Sequence, residues 1–234
     1  VTEWQNFYND DSNSFTYLSM TGIEKEYYGI EAGLDFKVAS FLNFKALGTI
    51  SDAKNINNAN VNYMLSKSAE VVKDYAYIKD MRESGTPLTI GSLALDFHKS
   101  GWFVNLNANW YDRIYLSYSP SYRYKSSLKN RDMLFNDEPL PGSVDQAKGH
   151  GGWMVDGSIG KSIRLKHGSL NFNLMVTNIL NNRKIVSGGY EQSRSDYTLN
   201  KENEAKDRVY KFSKNPKKYY VFGTNGMFQV SYRF

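Results

Sequence analysis

The sequence predicts an all-β chain that forms a transmembrane antiparallel up-and-down β-barrel, and three observations lead to this fold class. Apolar and polar residues alternate along several stretches of about ten residues, the length of a tilted strand that crosses a bilayer. The connections between these stretches are short and long in turn. Aromatic residues make up 15% of the 234 residues. No stretch approaches the ~20 consecutive apolar residues of a transmembrane helix.

The clearest alternation lies at residues 219–234, which we predict to form one strand. One face is aromatic and aliphatic: Tyr220, Phe222, Phe228, Val230, Tyr232 and Phe234. The other face is small or polar: Gly223, Asn225, Gln229, Ser231 and Arg233. Because successive strand side chains point to opposite faces, the first face is expected to meet lipid and the second to meet a water-filled lumen.

Six further strands are predicted at 28–38, 42–51, 88–97, 102–116, 153–165 and 170–180. Each alternates in the same way, except that Lys161 interrupts the apolar face and predicts an end or a bulge there. The residues predicted to face the membrane are Leu34, Phe36, Phe44, Leu95, Trp102, Leu106, Trp110, Phe172, Leu174, Phe228 and Tyr232.

The connections sort by length. Short turns are expected at 39–41, 98–101 and 166–169, and long loops at about 52–86, 117–152 and 182–218. Outer-membrane barrels place short turns on the periplasmic side and long loops outside the cell. Within the first long loop, 75–78 is a candidate strand extension and 66–82 has weak helical character. The third loop holds ten Lys or Arg and five Asp or Glu. Its net charge of 10 − 5 = +5 equals the net charge of the whole chain.

Seven strands do not make a complete barrel, because bacterial single-chain barrels have an even number and an open edge in lipid leaves backbone groups unpaired. We therefore expect residues 1–234 to be the C-terminal portion of a larger barrel, with residues 1–26 outside the cell. The lack of an initiator Met and of a signal peptide fits a processed chain or a piece of a longer protein. The alternative is an eight-stranded barrel whose first strand is the short run 15–20.

Three segments resemble TonB-dependent outer-membrane receptors of the Bacteroidota type. Gly29-Ile30-Glu31 resembles a descending-strand motif of that family, 171–181 (NFNLMVTNILN) resembles its penultimate segment, and 227–234 (MFQVSYRF) resembles its closing strand. The resemblance covers about residues 28–234.

The resemblance implies a 22-stranded barrel in the Gram-negative outer membrane. It implies active import of a scarce solute, such as an iron chelate, vitamin, glycan or peptide. The implied partners are the lipid bilayer, the TonB–ExbB–ExbD complex acting through an N-terminal plug that these residues do not include, and the barrel assembly machinery reading Phe234. A surface lipoprotein is a further candidate partner.

The sequence predicts neither an enzyme nor a cofactor site. It has no cysteine, and its histidines at 98, 150 and 167 fall on opposite sides of the predicted barrel, so no shared metal site is expected. Acidic residues at 132, 137 and 138 are a weak calcium candidate against a plain polar loop. The mixed charges of the basic loop argue against nucleic acid as a partner.

Tyrosines cluster where the fourth strand enters its loop. Such residues suit stacking on sugars or contact with an anionic chelate, although tyrosine also belongs to the aromatic girdle of a barrel. The candidate substrate-binding residues are Tyr115, Tyr118, Tyr122, Arg123, Tyr190 and Arg194. Two other functions stay open: a small non-transporting structural or adhesive barrel, and a soluble carbohydrate-binding β-protein.

Overall fold

The protein is described by a computed structural model that covers residues 1–9, 14–68, 70–191 and 216–234. It is all-β, with antiparallel sheets. In chain order the strands are β1 (Glu3–Asn9), β2 (Ser14–Thr21), β3 (Lys25–Ala39), β4 (Leu42–Asn55), β5 (Ala59–Leu65), β6 (Val71–Ala76), β7 (Thr89–Lys99), β8 (Trp102–Asp112), β9 (Leu134–Phe135), β10 (Glu138–Pro139), β11 (Gly152–Leu165), β12 (Gly168–Thr177), β13 (Val186–Glu191), β14 (Pro216–Tyr220) and β15 (Asn225–Arg233). No helix in the described part of the chain is long and apolar enough to span a membrane.

Seven strands form the large sheet, in the order β15-β12-β11-β8-β7-β4-β3. These are the seven strands that the alternation predicts, with bounds shifted by a few residues. Among the described residues the sheet does not close on itself: β3 and β15 are its two edges.

One face of this sheet is mainly apolar. Directly opposed residues of antiparallel strands share a face, and the pairing register therefore extends each strand's pattern across the sheet. One row crosses all seven strands: Phe36, Phe44, Leu95, Leu106, Gly157, Val176 and Gly226. By the same register, all eleven residues predicted to face a membrane lie on this face.

The opposite face is mainly polar. The neighbouring row, one residue along each strand, contains Lys37, Asn43, Asp96, Asn105, Ser158, Met175 and Met227. Side chains on this face hydrogen-bond between strands, as Ser92 does to Asn109 at 2.8 Å.

Three tight hairpins join the strands at one end of the sheet, and three long segments leave the other end, as the connection lengths predict. In the β7–β8 hairpin both Ser100 (φ 52°) and Gly101 (φ 77°) have positive φ. This is the turn geometry that matches the twist of the paired strands, and it favours glycine.

The buried hydrophobic residues lie mainly in the segment before β3 and in the long segments. β1, β2, β5 and β6 form a four-stranded sheet. Its inner face packs Leu18, Met20 and Val61 against Ile78 and Tyr124. A second cluster joins Tyr77, Tyr122, Leu128 and Met133. A 3₁₀ turn (Pro120–Arg123) and the short helix α1 (Lys125–Lys129) carry part of these cores.

Several sequence-based predictions about these segments are wrong. The stretch 66–82 has no helix among its described residues, because β5 and β6 pair as a hairpin there and the Tyr75–Tyr77 region is held by that sheet. The run 15–20 belongs to β2, which pairs with β1 and β5. It is therefore not a first strand of the large sheet, and this removes the argument for an eight-stranded barrel.

The closing stretch is two strands instead of one. β14 pairs with β13 in a separate two-stranded sheet, and β15 pairs with β12. The break at 221–224 is fixed by Asn178, whose Nδ2 donates to the Phe222 carbonyl at 2.8 Å and whose carbonyl accepts from Thr224 Oγ1 at 2.8 Å.

The predicted interruption at Lys161 is also wrong. β11 continues through it, with Lys161 paired to Trp102 and Phe172. The ammonium reaches the Ser100 carbonyl at 2.8 Å and lies 4.8 Å from the Trp102 ring centre. The long aliphatic stem stays on the apolar face while the charge reaches the turn, so the register is kept.

Candidate ligand-binding site

A polar cleft lies where the long segments meet the large sheet. Its volume is about 140 Å³. Its charged lining residues are Glu3, Lys25, Arg82 and Glu83, and its uncharged ones are Gln5, Asn55, Met81, Ser84, Ser117 and Tyr118. Lys25 and Asn55 are paired across β3 and β4, in register with the polar face of the sheet. The cleft therefore lies at the long-segment end of that face.

Lys25 ties the cleft together. Its ammonium lies 2.7 Å from Oε1 of Glu3 and 2.7 Å from Oε1 of Glu83. The Tyr27 hydroxyl donates to the same Glu83 oxygen at 3.0 Å. Burial alone would lower the pKa of Lys25, but the bonds to the two carboxylates and their charges outweigh it, so its pKa lies above the usual 10.5. The hydrogen bond from Lys25 lowers the pKa of Glu83.

A second charged group fixes Arg82 on the other side of the same segment. Asp52 accepts from Arg82 Nε at 2.8 Å and lies 3.1 Å from Nη2 of Arg113. Burial would raise the pKa of Asp52, but the hydrogen bond from Arg82 and the charges of both arginines lower it. Residues 82 and 83 are thus held from both sides, so that the shape of the cleft is fixed by ion pairs.

Gln146 connects the cleft to the 113–151 segment. Its Oε1 accepts from the Arg82 backbone N–H at 2.7 Å, and its Nε2 donates to the carbonyls of Arg82 and Leu116, each at 2.8 Å. The Gln146 side chain therefore hydrogen-bonds to the backbone of two segments. It holds Ser84 near Ser117, and their hydroxyls lie 2.8 Å apart.

A buried ion pair joins the second and third long segments. Arg123 lies 2.6 Å (Nη1) and 2.8 Å (Nη2) from the two oxygens of Glu191, and both side chains are fully buried. Arg123 also donates to the carbonyls of Ser119, Val144 and Asp145. This is a bidentate guanidinium–carboxylate pair with its remaining donors satisfied.

The six candidate substrate-binding residues are not gathered in one place. Only Tyr118 of those described lines the cleft. Tyr115, Tyr122 and Arg123 are buried in the packing of the long segments. Tyr190 is half-exposed on β13, with its ring 6.3 Å from that of Tyr219. Arg194 lies outside the described residues.

Tyr115 and Tyr122 make packing contacts that stabilise the long segments. Tyr115 packs under two cations, 5.0 Å from the Arg82 guanidinium and 5.3 Å from the Lys148 ammonium. Tyr122 belongs to the second core cluster. Their part in binding a substrate stays a prediction.

Most residues of the cleft are not predictable from the sequence. Lys25 and Glu83 are 58 residues apart, and Arg123 and Glu191 are 68 apart. Single charged residues in polar stretches give no signal of such pairing. The nearest clue was that the tyrosine-rich stretch contains Tyr118.

Within the described ranges, the structure has no group of three or more His, Asp or Glu side chains placed to hold a metal ion. Asp137 instead lies 2.9 Å from the Lys125 ammonium.

Comparisons of the chain with protein-family models, with curated proteins and with solved structures found no match.

Proposed function

We propose that this chain is the C-terminal barrel portion of an outer-membrane active transporter of the TonB-dependent receptor type. On this proposal the seven-stranded sheet is part of the barrel wall, and the long segments form the extracellular side that meets the solute. The resemblance of 29–31, 171–181 and 227–234 to that family supports the type of transporter.

The observation that carries the proposal is the extent of the exposed apolar face. Six inter-strand steps of about 4.8 Å give a width of about 29 Å. The nine residues of β15 span about 30 Å at about 3.4 Å each, so the face measures on the order of 900 Å². Soluble monomers rarely expose contiguous patches larger than about 300–600 Å². On this face Ile30 is 79% exposed and Phe228 64% exposed.

The position of the buried cores supports the same proposal. The large sheet contributes no residue to the two buried clusters described above, nor to a third cluster of Leu116, Ala147 and Val186. A sheet without a protein core on either face needs another apolar phase, and a bilayer supplies it. The polar face then lines the lumen, and the open edges β3 and β15 pair with further strands.

The direct test is cell fractionation of the intact protein. We expect it in the outer membrane, extracted by detergent and not by high salt or alkali. Growth or uptake should depend on the TonB–ExbB–ExbD complex. If it is in the membrane but deleting it changes no solute uptake, a non-transporting adhesive barrel is supported instead. A monomer that stays in buffer without detergent would exclude both.

A further inference from the structure

The cleft between β1, β3 and the 81–84 and 117–118 residues presents several unused hydrogen-bonding groups. Tyr118 Oη accepts from Asn55 Nδ2 at 3.1 Å, which leaves the phenol hydrogen free to donate. The Ser84 and Ser117 hydroxyls share one hydrogen bond, so one of their two protons stays available. Lys25 engages Oε1 of Glu3 and of Glu83, and this leaves Oε2 of each carboxylate as an acceptor.

The charges of the cleft are balanced. Its two cations, Lys25 and Arg82, are both paired with carboxylates of the chain. An anionic ligand would have to lie beside Glu3 and Glu83 and would lose its hydration without gaining an unpaired cation. A cationic ligand at the free Oε2 atoms of Glu3 and Glu83 would lie beside the Lys25 ammonium and would be repelled by its charge. The arginine of the tyrosine-rich stretch is not available either, since Arg123 is buried against Glu191.

The volume of the cleft further limits the size of its ligand. The volume of the cleft is about 140 Å³. Pockets for drug-sized ligands have volumes of about 300–1,000 Å³. The cleft therefore accepts one small polar unit, or the end of a longer chain, and is too small for a whole macrocyclic chelate.

We infer that this cleft binds one uncharged, polyhydroxylated unit, a neutral sugar residue, through Tyr118, the Ser84–Ser117 pair and the free carboxylate oxygens of Glu3 and Glu83. Neutral hydroxyl groups of a ligand match the donors and acceptors that line the cleft, because each hydroxyl can both donate and accept a hydrogen bond. Burial, together with the charge of Glu3, raises the pKa of Tyr118 to about 12, so its phenol stays a donor at physiological pH. The inference rests on the proposed function in placing the cleft at the solute-facing side.

The test is a binding series on the intact protein in detergent. Neutral mono- and oligosaccharides are screened by calorimetry, each beside its uronic acid and its amino-sugar counterpart. We expect a neutral sugar to bind and both charged counterparts to bind at least tenfold more weakly. Equal or tighter binding of a charged counterpart, or no binding by any neutral sugar, would overturn the inference.

Two variants locate the binding. Tyr118→Phe removes one hydroxyl and should weaken the Kd roughly 3- to 10-fold, as expected for one neutral hydrogen bond. Tyr75→Phe, at an exposed tyrosine of β6 outside the cleft, is the matched control and should leave the Kd unchanged. Ser84→Ala gives a second reading if Tyr118→Phe does not fold by circular dichroism. Unchanged affinity in a folded cleft variant would contradict the assignment.

The binding series, combined with uptake measurements in cells, separates this inference from the transport proposal. Binding of a neutral sugar without uptake into cells would contradict transport and leave the cleft as a surface glycan site. Uptake of a charged solute with no binding of neutral sugars would contradict the inference alone.

Discussion

The pair Arg123–Glu191 shows how single residues hold the long segments together. A buried charge is stable only while its partner is present, because removing the partner leaves the desolvation cost without compensation. Both side chains are inaccessible, and they join residues 68 positions apart. The pair therefore makes the third long segment dependent on the second.

We predict that Glu191→Ala lowers the free energy of unfolding of the long segments by about 3–5 kcal/mol. The reason is that the Arg123 charge stays buried without a carboxylate. Urea titration followed by tyrosine fluorescence measures the change. Replacing both residues by methionine should cost less than the single change, since no charge is then left buried.

The control for this prediction is the exposed pair of Lys125 and Asp137. Lys125→Ala should leave the urea midpoint nearly unchanged, because water screens the exposed charges. A loss for Lys125→Ala equal to that for Glu191→Ala would contradict the special weight given to the buried pair.

The cleft carboxylates predict how stability depends on pH. The pKa of Glu83 is lower in the folded chain than its usual 4.5, so its stabilising contribution is complete above pH 4.5 and is lost as the pH falls through the lowered value. The pKa of Lys25 is raised above 10.5, so its contribution is complete below pH 10.5 and is lost at higher pH. We expect a plateau between these limits.

Glu83→Gln tests this dependence. Thermal unfolding between pH 2.5 and 7 should show a smaller loss of stability on acidification than in the unchanged protein. An identical acid limb in both proteins would show that Glu83 does not contribute to it.

At the scale of the strand, the alternation of apolar and polar residues predicts the seven strands of the large sheet and their apolar faces. The apolar sets of β3, β4, β7, β8, β11, β12 and β15 were readable because each has a period of two over about ten residues. The predicted strand end at Lys161 is wrong because a lysine stem can stay on the apolar face while its charge lies elsewhere. The break within 219–234 has no local signal, because it is fixed by hydrogen bonds to Asn178, which lies 44 and 46 positions away in sequence.

Opposite faces of β8 should differ in their tolerance of charge. Leu106→Arg should cost about 2–4 kcal/mol if its face meets lipid at mid-depth. Asn107→Arg, one residue on and on the polar face, should be mild. Urea unfolding in lipid vesicles measures both. Equal penalties would reject the assignment of the faces.

Gly160 on β11 is constrained by its neighbours. A Cβ there would lie 2.5 Å from the Phe172 carbonyl oxygen and closer still to the Phe103 ring. Gly160→Ala should therefore destabilise by about 1–3 kcal/mol through overpacking. Gly48→Ala is the control, because a Cβ at that position meets no atom within 4 Å. Equal urea midpoints for the two variants would contradict the packing described.

At the scale of the whole molecule, the sorting of short and long connections was predictable and the structure of the long ones was not. Those segments fold through pairs such as Lys25–Glu83 and through clusters such as Tyr77 with Leu128, which join residues 58 and 51 positions apart in sequence. Their local patterns resemble ordinary polar loops. The proposed ligand site is therefore not the tyrosine-rich stretch as a whole but a cleft that only Ser117 and Tyr118 of that stretch line.

The central claim is that one face of the seven-stranded sheet meets lipid and the other meets water. The chain has no cysteine, so single-cysteine variants can be placed along residues 103–110 of β8 in the intact protein without background labelling. After reconstitution in vesicles, a water-soluble maleimide should label positions 105, 107 and 109 and spare 104, 106 and 108, and a lipid-soluble quencher should show the reverse. Uniform labelling of both sets would contradict the claim.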